Sequence, residues 1–547
     1  MFLKISLIFV VFLLPLSCLA TSSTVYYSGG KYTYKEGVYD ENGAARAKYD
    51  DTLDTVGWGR FVVQTNKDFD DNVQAHAAGL LEGALTHTRL FQHRHNIFDW
   101  FLHHYVPGGI WPAAVWNFLD TNLAYIRDNI KNNPTDDYWV VTGLVVSQFE
   151  GLTEGYQLMA PVTEQLTELD LWMYNTAGDL LDLATAVSPE MRPNFDEMTR
   201  DEIMAYTLFR DHCTGLIRLT EGYQDIYFAQ DAWFTFGSMN RVFKHYDFNY
   251  KNDIIKAPSM TFSSYPGFLF SFDDHYTLSS GLCALETTNE IFNTTLYDLV
   301  VPQCVLEWVR VRIANYMADS GEQWTSIFEK ENSGTYNNQW LILDYKQFTP
   351  GQKPNPGTLW ALEQIPGFVQ KADITDHLIE QGYMPSYNIP YFKDIFKISG
   401  YPSDDTFWSY EDCPRAKIIR RNASSVNTFE HMKNMMRYNN WEYDPLSQKD
   451  PGNAPASRYD LKPKGESRRE AFGALDSKVT SYELAKNLMV EAISSPTYVQ
   501  QPIFKFSTCP FIFEHVGLPD EYHFPWVKWD FNSETGELND QILDYDD

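Results

Sequence analysis

Positive charge, cysteine and hydrophobic length are all scarce in this chain of 547 residues. Lysine and arginine number 43 against 73 aspartates and glutamates, a formal net charge of −30. That balance argues against nucleic acid or an anionic membrane surface as a partner drawn in by long-range attraction at neutral pH. The most apolar uncharged stretch is Ile5 to Leu16, and it falls short of the ~20 apolar residues that a membrane span needs. No Cys-x-x-Cys or cysteine–histidine spacing of a zinc site occurs, and no internal repeat or low-complexity tract is visible. The Gly-x-Ser-x-Gly elbow of the serine hydrolases is missing: Gly237-Ser238-Met239-Asn240 fails at the second glycine. The early histidines His76, His87, His93, His95, His103 and His104 contain no His-Glu-x-x-His and read as the polar face of a helix-loop-helix. Neither a metal nor a cofactor is expected.

What is present points to a large globular protein of the secretory route. Lys4, the apolar run to Leu16 and the small residue at the end of Cys18-Leu19-Ala20 have the layout of a cleaved signal peptide over residues 1–20. The mature chain is then expected without a stable membrane anchor, secreted or lysosomal. Apolar residues make up 44% and aromatics 16%, enough for a substantial core. A sequence pI near 4.7 fits an acidic lumen, where protonated carboxylates repel one another less. Two sequons, at Asn293 and Asn422, are candidate glycosylation sites. Removal of Cys18 leaves Cys213, Cys283, Cys304, Cys413 and Cys509. An odd set leaves at least one free thiol, and the last four can pair as two disulfides in three ways.

Apolar residues recur at helical spacing over Asn72 to Thr88, Trp116 to Asn132 and Val162 to Leu183, and again over Glu307 to Met317 and Ser481 to Ala492. Short apolar runs at Gly267 to Phe272, Leu282 to Thr288 and Gln339 to Tyr345 read as buried strands. Strands flanked by helices favour sheets covered by helices. Gly57-Trp58-Gly59 reads as a turn. The basic run Arg415, Lys417, Arg420 and Arg421 reads as a strand end or loop, entered through the rigid Cys413-Pro414. Asp444 to Arg469, rich in Pro, Gly, Asn, Ser and Lys, reads as a surface excursion or processing site.

Cys213 stands out. It lies in Arg210-Asp211-His212-Cys213-Thr214-Gly215, a polar setting between a histidine and a Thr-Gly pair. A free cysteine is more often a small buried apolar residue, and a thiol nucleophile normally needs a partner histidine, which no spacing here supplies.

A series of blocks running along the chain carries a resemblance. They include Asp211-His212-Cys213-Thr214-Gly215-Leu216-Ile217, Ser263-Ser264-Tyr265-Pro266-Gly267, Asp273-Asp274-His275-Tyr276 and Leu285-Glu286-Thr287-Thr288-Asn289. Asn332 to Trp340, Glu363-Gln364-Ile365-Pro366-Gly367, Ser386 to Phe392 and Pro414-Arg415-Ala416-Lys417-Ile418 continue it. In these the chain resembles the phospholipase B-like family, and through it the N-terminal nucleophile hydrolases. The resemblance implies an α+β fold, a four-layer αββα sandwich, in which residues 21–212 and 213–547 are two fragments of one large hydrolase domain. It implies self-cleavage between His212 and Cys213, which turns the mid-chain position into an N-terminus bearing a thiol and an α-amine. An amine of pKa ~7.7–8.0 can act as the general base that no histidine provides.

The resemblance further implies a pocket of Trp233, Thr288, Asn388 and Arg415 around Cys213. Within it Asn388 is a candidate oxyanion donor, Arg415 a group favouring the thiolate or orienting substrate, Thr288 a positioning hydroxyl and Trp233 an apolar wall. Gln230 stands where several relatives carry a histidine, so that position can only hydrogen-bond here. The implied activity is deacylation of glycerophospholipids through a Cys213 acyl-thioester, with a phospholipid or other acylated small molecule as partner. Two alternatives remain: an amidase acting on N-acyl amines or peptides, and a non-enzymatic lumenal lipid-binding protein.

Overall fold

A computed structural model describes residues 21–106, 108–208, 213–511, 513–531 and 542–543. The signal-peptide reading and His212 lie outside the described residues. The fold is α+β, with two large sheets and helices packed on them.

Eleven strands form the first sheet among the described residues. Their order runs from Phe368–Asp373 through Leu359–Ile365, Asn338–Asp344, Leu282–Thr288, His275–Leu278, Ser259–Ser264 and Val242–Asp247. It then crosses to Gly59–Thr65, Ala45–Asp50, Thr21–Ser28 and Lys31–Glu36. All neighbours are antiparallel except Gly59–Thr65 and Val242–Asp247, which run parallel with Gly59 opposite Val242. Strands from before and after Cys213 thus share one hydrogen-bonded ladder.

The second sheet orders Tyr383–Ser386, Cys213–Leu219, Ile226–Thr235, Ser477–Thr480, Val490–Ile493 and Val527–Trp529, with Phe472–Ala474 also on Ile226–Thr235. Side chains alternate between the two faces of a strand. Ile217 and Leu219 accordingly share a core with Cys283 and Leu285 of the first sheet, while Leu216 shares one with Ile418, Ile419 and Met432 from the helices Pro414–Asn422 and Phe429–Met436. Gly215 lets the sheets approach: a Cβ there would meet Leu285 Cδ1 at 3.0 Å and Ser386 Cβ at 3.2 Å.

Against the first sheet lies the 34-residue helix Asp71–His104, paired with Asp137–Met159. Gly79 and Gly83 on one helix and Gly151 and Gly155 on the other face each other's backbones at distances no side chain would tolerate. The second helix starts where Asp136 accepts a hydrogen bond from the Trp139 N–H.

Several expectations are corrected. The early histidines lie on one continuous helix, and His93 is wholly buried, bonded to the Tyr174 hydroxyl at 2.7 Å. Residues 162–183 are broken into Val162–Glu164, Glu168–Asn175 and Ala177–Val187, because Thr167 and Asp170 form a capping box that starts a new helix. Gly267 to Phe272 is irregular, not a strand: Gly267 has φ 74 and turns the chain. Ser481 to Ala492 is a short helix, Tyr482–Lys486, and then the strand Val490–Ile493. The basic run 415–421 is helical, begun by Pro414 and capped by the Cys413 thiol, which accepts from the Ala416 N–H at 3.4 Å. No disulfide forms. All five described cysteines are free, and Cys283, Cys304 and Cys413 sit in three different hydrophobic cores.

Candidate functional site

Cys213 opens the strand Cys213–Leu219 and pairs with Ala232 across the ladder. Its backbone is held at both ends. The Cys213 N–H donates to Asn388 Oδ1 at 3.2 Å, and its carbonyl accepts from Arg415 Nη1 at 2.6 Å. The same guanidinium reaches Thr214 Oγ1 at 3.3 Å, the Tyr387 carbonyl at 2.7 Å and Asn388 Oδ1 at 2.9 Å. Its plane lies over the Trp233 ring, 4.4 Å from the centroid. Arg415 is aimed there because Cys413-Pro414 fixes the start of its helix.

Asn388 has φ 67, a left-handed conformation that asparagine tolerates better than most residues. Its Nδ2 donates to the carbonyl of Thr288 at 2.8 Å, and its own N–H donates to Thr287 Oγ1 at 3.3 Å. This places Asn388 as a bridge between the end of the Leu282–Thr288 strand and the Cys213 nitrogen. Its oxygen, not its amide N–H, faces that nitrogen. Thr288 contributes its carbonyl. Gln230, on the neighbouring strand, is fully buried and donates to the Glu286 carbonyl at 3.1 Å, so it links the two sheets. Cys213, Asn388, Arg415, Trp233 and Thr288 therefore converge, while Gln230 stands in the layer behind them.

The thiol is 5% exposed. Burial, and then the charge of Glu286, push its pKa well above the ordinary thiol value, although a backbone hydrogen bond from Trp233 and the charge of Lys478 pull the other way. Glu286 is itself pushed up to about 8, by burial first, against a hydrogen bond from Tyr336 that lowers it. The Tyr336 hydroxyl lies 3.1 Å from Glu286 Oε1. Burial thus favours the protonated thiol at Cys213.

Beside this cradle opens a narrow cleft of about 40 Å³. Trp233, Asn388 and Arg415 line it, and Cys213 does not. Its other walls include Thr207 and Leu208 of the helix Arg200–Leu208, and Phe407, Trp408, Tyr459 and Arg468. None of these was singled out from sequence. The stretch 444–469, expected as a surface excursion or processing site, is exposed at 463–467, but residues 451–459 turn inward and are buried, and the Pro455 carbonyl accepts from Thr214 Oγ1 at 3.0 Å. Glu286 and Tyr336, also missed as functional residues, do fall within the sequence blocks that carry the resemblance. The candidate glycosylation residues Asn293 and Asn422 are both half-buried. Asn293 Nδ2 donates to the Ile398 carbonyl at 3.3 Å, and Asn422 Oδ1 accepts from Arg421 Nε at 2.9 Å.

Comparison with known proteins agrees along almost the whole chain. A family model described as Phospholipase B matches residues 45–529. Phospholipase B-like protein B of Dictyostelium discoideum is 39% identical over 90% of this chain and 86% of its own length. Phospholipase B of Crotalus adamanteus is 38% identical, covering 92% of each chain. Phospholipase B-like 1 of Homo sapiens is 37% identical over 92% of this chain and 90% of its own. With these matches spanning both sheets, the chain belongs to the phospholipase B family.

Proposed function

We propose that this chain is a self-processing acyl hydrolase of the secretory or lysosomal lumen that deacylates glycerophospholipids through Cys213. The observation that carries the reading is the grip on the Cys213 backbone: its N–H on Asn388 Oδ1 and its carbonyl on Arg415. Any buried backbone needs partners, but here both come from side chains, and one of them is an arginine that lines the cleft. A residue whose nitrogen is to become an amine, and whose thiol must hold its place after the chain is cut, needs both.

The order of the cores supports an N-terminal nucleophile hydrolase sandwich. One core joins helices to the first sheet, a second joins the two sheets, and a third joins the second sheet to helices. In the proposed maturation the Cys213 sulfur attacks the carbonyl of His212. The C–N bond breaks, the proton passes to the departing nitrogen, and water hydrolyses the resulting thioester. The two fragments stay together because their strands share a ladder at Gly59–Thr65 and Val242–Asp247.

Turnover repeats that chemistry on an ester. The α-amine takes the thiol proton, the sulfur attacks the acyl carbonyl, and the alcohol leaves with that proton. Water then releases the fatty acid and the free thiol. In this reading Asn388 and Arg415 orient the amine and strand, Thr288 fixes Asn388, Trp233 walls the acyl group, and Gln230 ties the two sheets together behind the site.

A Cys213→Ala chain is expected to remain uncut and to release no fatty acid from phospholipid. Fragments of unchanged size, or undiminished deacylation, would sink the reading. Parallel assays with an N-acyl amide test the amidase alternative: turnover of the amide alone would replace the ester assignment. A processed chain that turns over neither would point to a lumenal binding protein.

A further inference from the structure

The cleft beside Cys213 has a charge character opposite to that of the chain. Acidic residues outnumber basic ones by 73 to 43 overall, yet among the described residues the cleft lining holds two arginines, Arg415 and Arg468, and no carboxylate. The rest divides cleanly. Met204, Leu208, Trp233, Ile389, Phe407 and Trp408 offer an apolar wall, and Asn388 and Asn453 add neutral polar groups near the arginines.

Arg468 is built into the cleft. Its side chain is 9% exposed, its guanidinium lies 5.8 Å from the Tyr459 ring centroid and 5.9 Å from that of Phe407, and its Nη2 donates to Asp450 Oδ2 at 2.8 Å. That carboxylate oxygen is shared with Lys462 Nζ at 2.6 Å, so it is divided between two cations. The Arg468 backbone has φ 62, a left-handed conformation unusual for a long side chain. A guanidinium presents a planar fork of donors matched to phosphate and carboxylate, and such charge-assisted pairs are about twice as strong as neutral ones.

The geometry points to Arg468 as a specificity-determining residue that docks an anionic head group, so that the substrate class of the cleft is an acyl chain carrying a negative charge. This rests on the acyl-hydrolase reading for the acyl half alone. Two sources share that chemistry, a phosphate of a glycerolipid and the carboxylate of an N-acyl amino acid.

Four lauroyl substrates separate them in the processed protein: 1-lauroylglycerol 3-phosphate and N-lauroylglycine as the anions, 1-lauroylglycerol and N-lauroylethanolamine as their neutral counterparts. At least one anion is expected to exceed its neutral counterpart about tenfold in kcat/KM, and which one does so identifies the source. Arg468→Gln is expected to raise KM about tenfold for that anion, with kcat and the neutral substrate unchanged, and Arg468→Lys to recover part of it. Equal use of charged and neutral members, or an Arg468→Gln loss shared by all four, overturns the inference. Should Arg468→Gln fail to fold, Asn453→Asp, which puts a carboxylate into the same wall, is expected to weaken the anion selectively, and no effect counts against the inference. If nothing is turned over, the acyl-hydrolase reading falls by itself. Quenching of tryptophan fluorescence by decyl phosphate and decanol, both below their micellar concentrations, then decides: tighter binding of the phosphate supports the inference and equal binding overturns it.

Discussion

Two clusters of buried polar groups are built on opposite rules. One is formed by Arg241, Asp273, Asp476 and Lys478. Arg241 meets Asp273 at 2.5 Å and Asp476 at 2.7 Å, Lys478 meets Asp273 at 2.8 Å and Asp476 at 2.9 Å, and every one of these side chains is at most 2% exposed. Two cations face two anions with no surplus of either sign. Burial pushes Asp273 upward, yet Arg241 and Lys478 outweigh it and hold the carboxyl below the usual range. The other cluster is Cys213, Asn388 and Arg415. Its guanidinium binds carbonyls, a hydroxyl and an amide oxygen, and it borders an open cleft. A closed, balanced cluster can only hold the fold. An arginine that borders an opening can also meet what enters.

Breaking each cluster should give different failures. The largest effect is expected from Arg241→Met, which leaves Asp273 and Asp476 buried with Lys478 alone. Removing one member of a buried charge network typically costs about 3–5 kcal/mol. Urea denaturation should show a loss of that size, with activity falling only as far as folded protein is lost. A loss below about 1 kcal/mol would erase the distinction between the clusters.

The next effect sharpens the comparison. Asn388→Gly removes the amide but suits the left-handed backbone. It is expected to slow cutting after residue 212 about 100-fold, the scale on which single orienting or oxyanion donors act, with little change in stability. Asn388→Ala should be equally slow and less stable by about 1 kcal/mol, because alanine pays for φ 67. Normal processing in the glycine variant would show that the grip on Cys213 N–H is incidental.

The smallest effect concerns pH. Burial raises Asp179 to about 6, Glu363 to about 7 and Glu286 to about 8. Each binds its proton more tightly when folded than unfolded. Their contribution is full below the unfolded carboxyl range and is lost as pH rises through about 6 to 8. Burial holds His93, His245 and His275 below the usual imidazole value, and they oppose this only below about pH 6.5, so the protein should be more stable near pH 6.5 than near pH 8. Thermal melts across that range check the direction, and Glu363→Gln should flatten the fall. Melting that rises steadily toward pH 8 would contradict this balance.

The sequence was legible where one residue type decides the outcome. Leu282 to Thr288 and Glu307 to Met317 have a clean period and are the strand and helix it predicts. Cys413-Pro414 is a helix start in plain sight, yet the run of arginines and lysines after it disguised the helix as a loop. Asp444 to Arg469 misled for a different reason: turn-forming residues say that a segment is irregular and nothing about which way it faces. Here it folds inward and supplies Tyr459 and Arg468 to the cleft. The convergence of Cys213, Asn388 and Arg415 could not be read from spacing, since 175 residues separate Cys213 from Asn388. Only the sheet register brings them together.

The most direct test of Cys213 as a freed N-terminal nucleophile is mass spectrometry of the protein mixed with lysophospholipid and quenched in acid. The account predicts a C-terminal fragment beginning at Cys213 that carries one acyl group on that residue, released by hydroxylamine. An intact chain that still releases fatty acid, or an acyl group on any other residue, would contradict it.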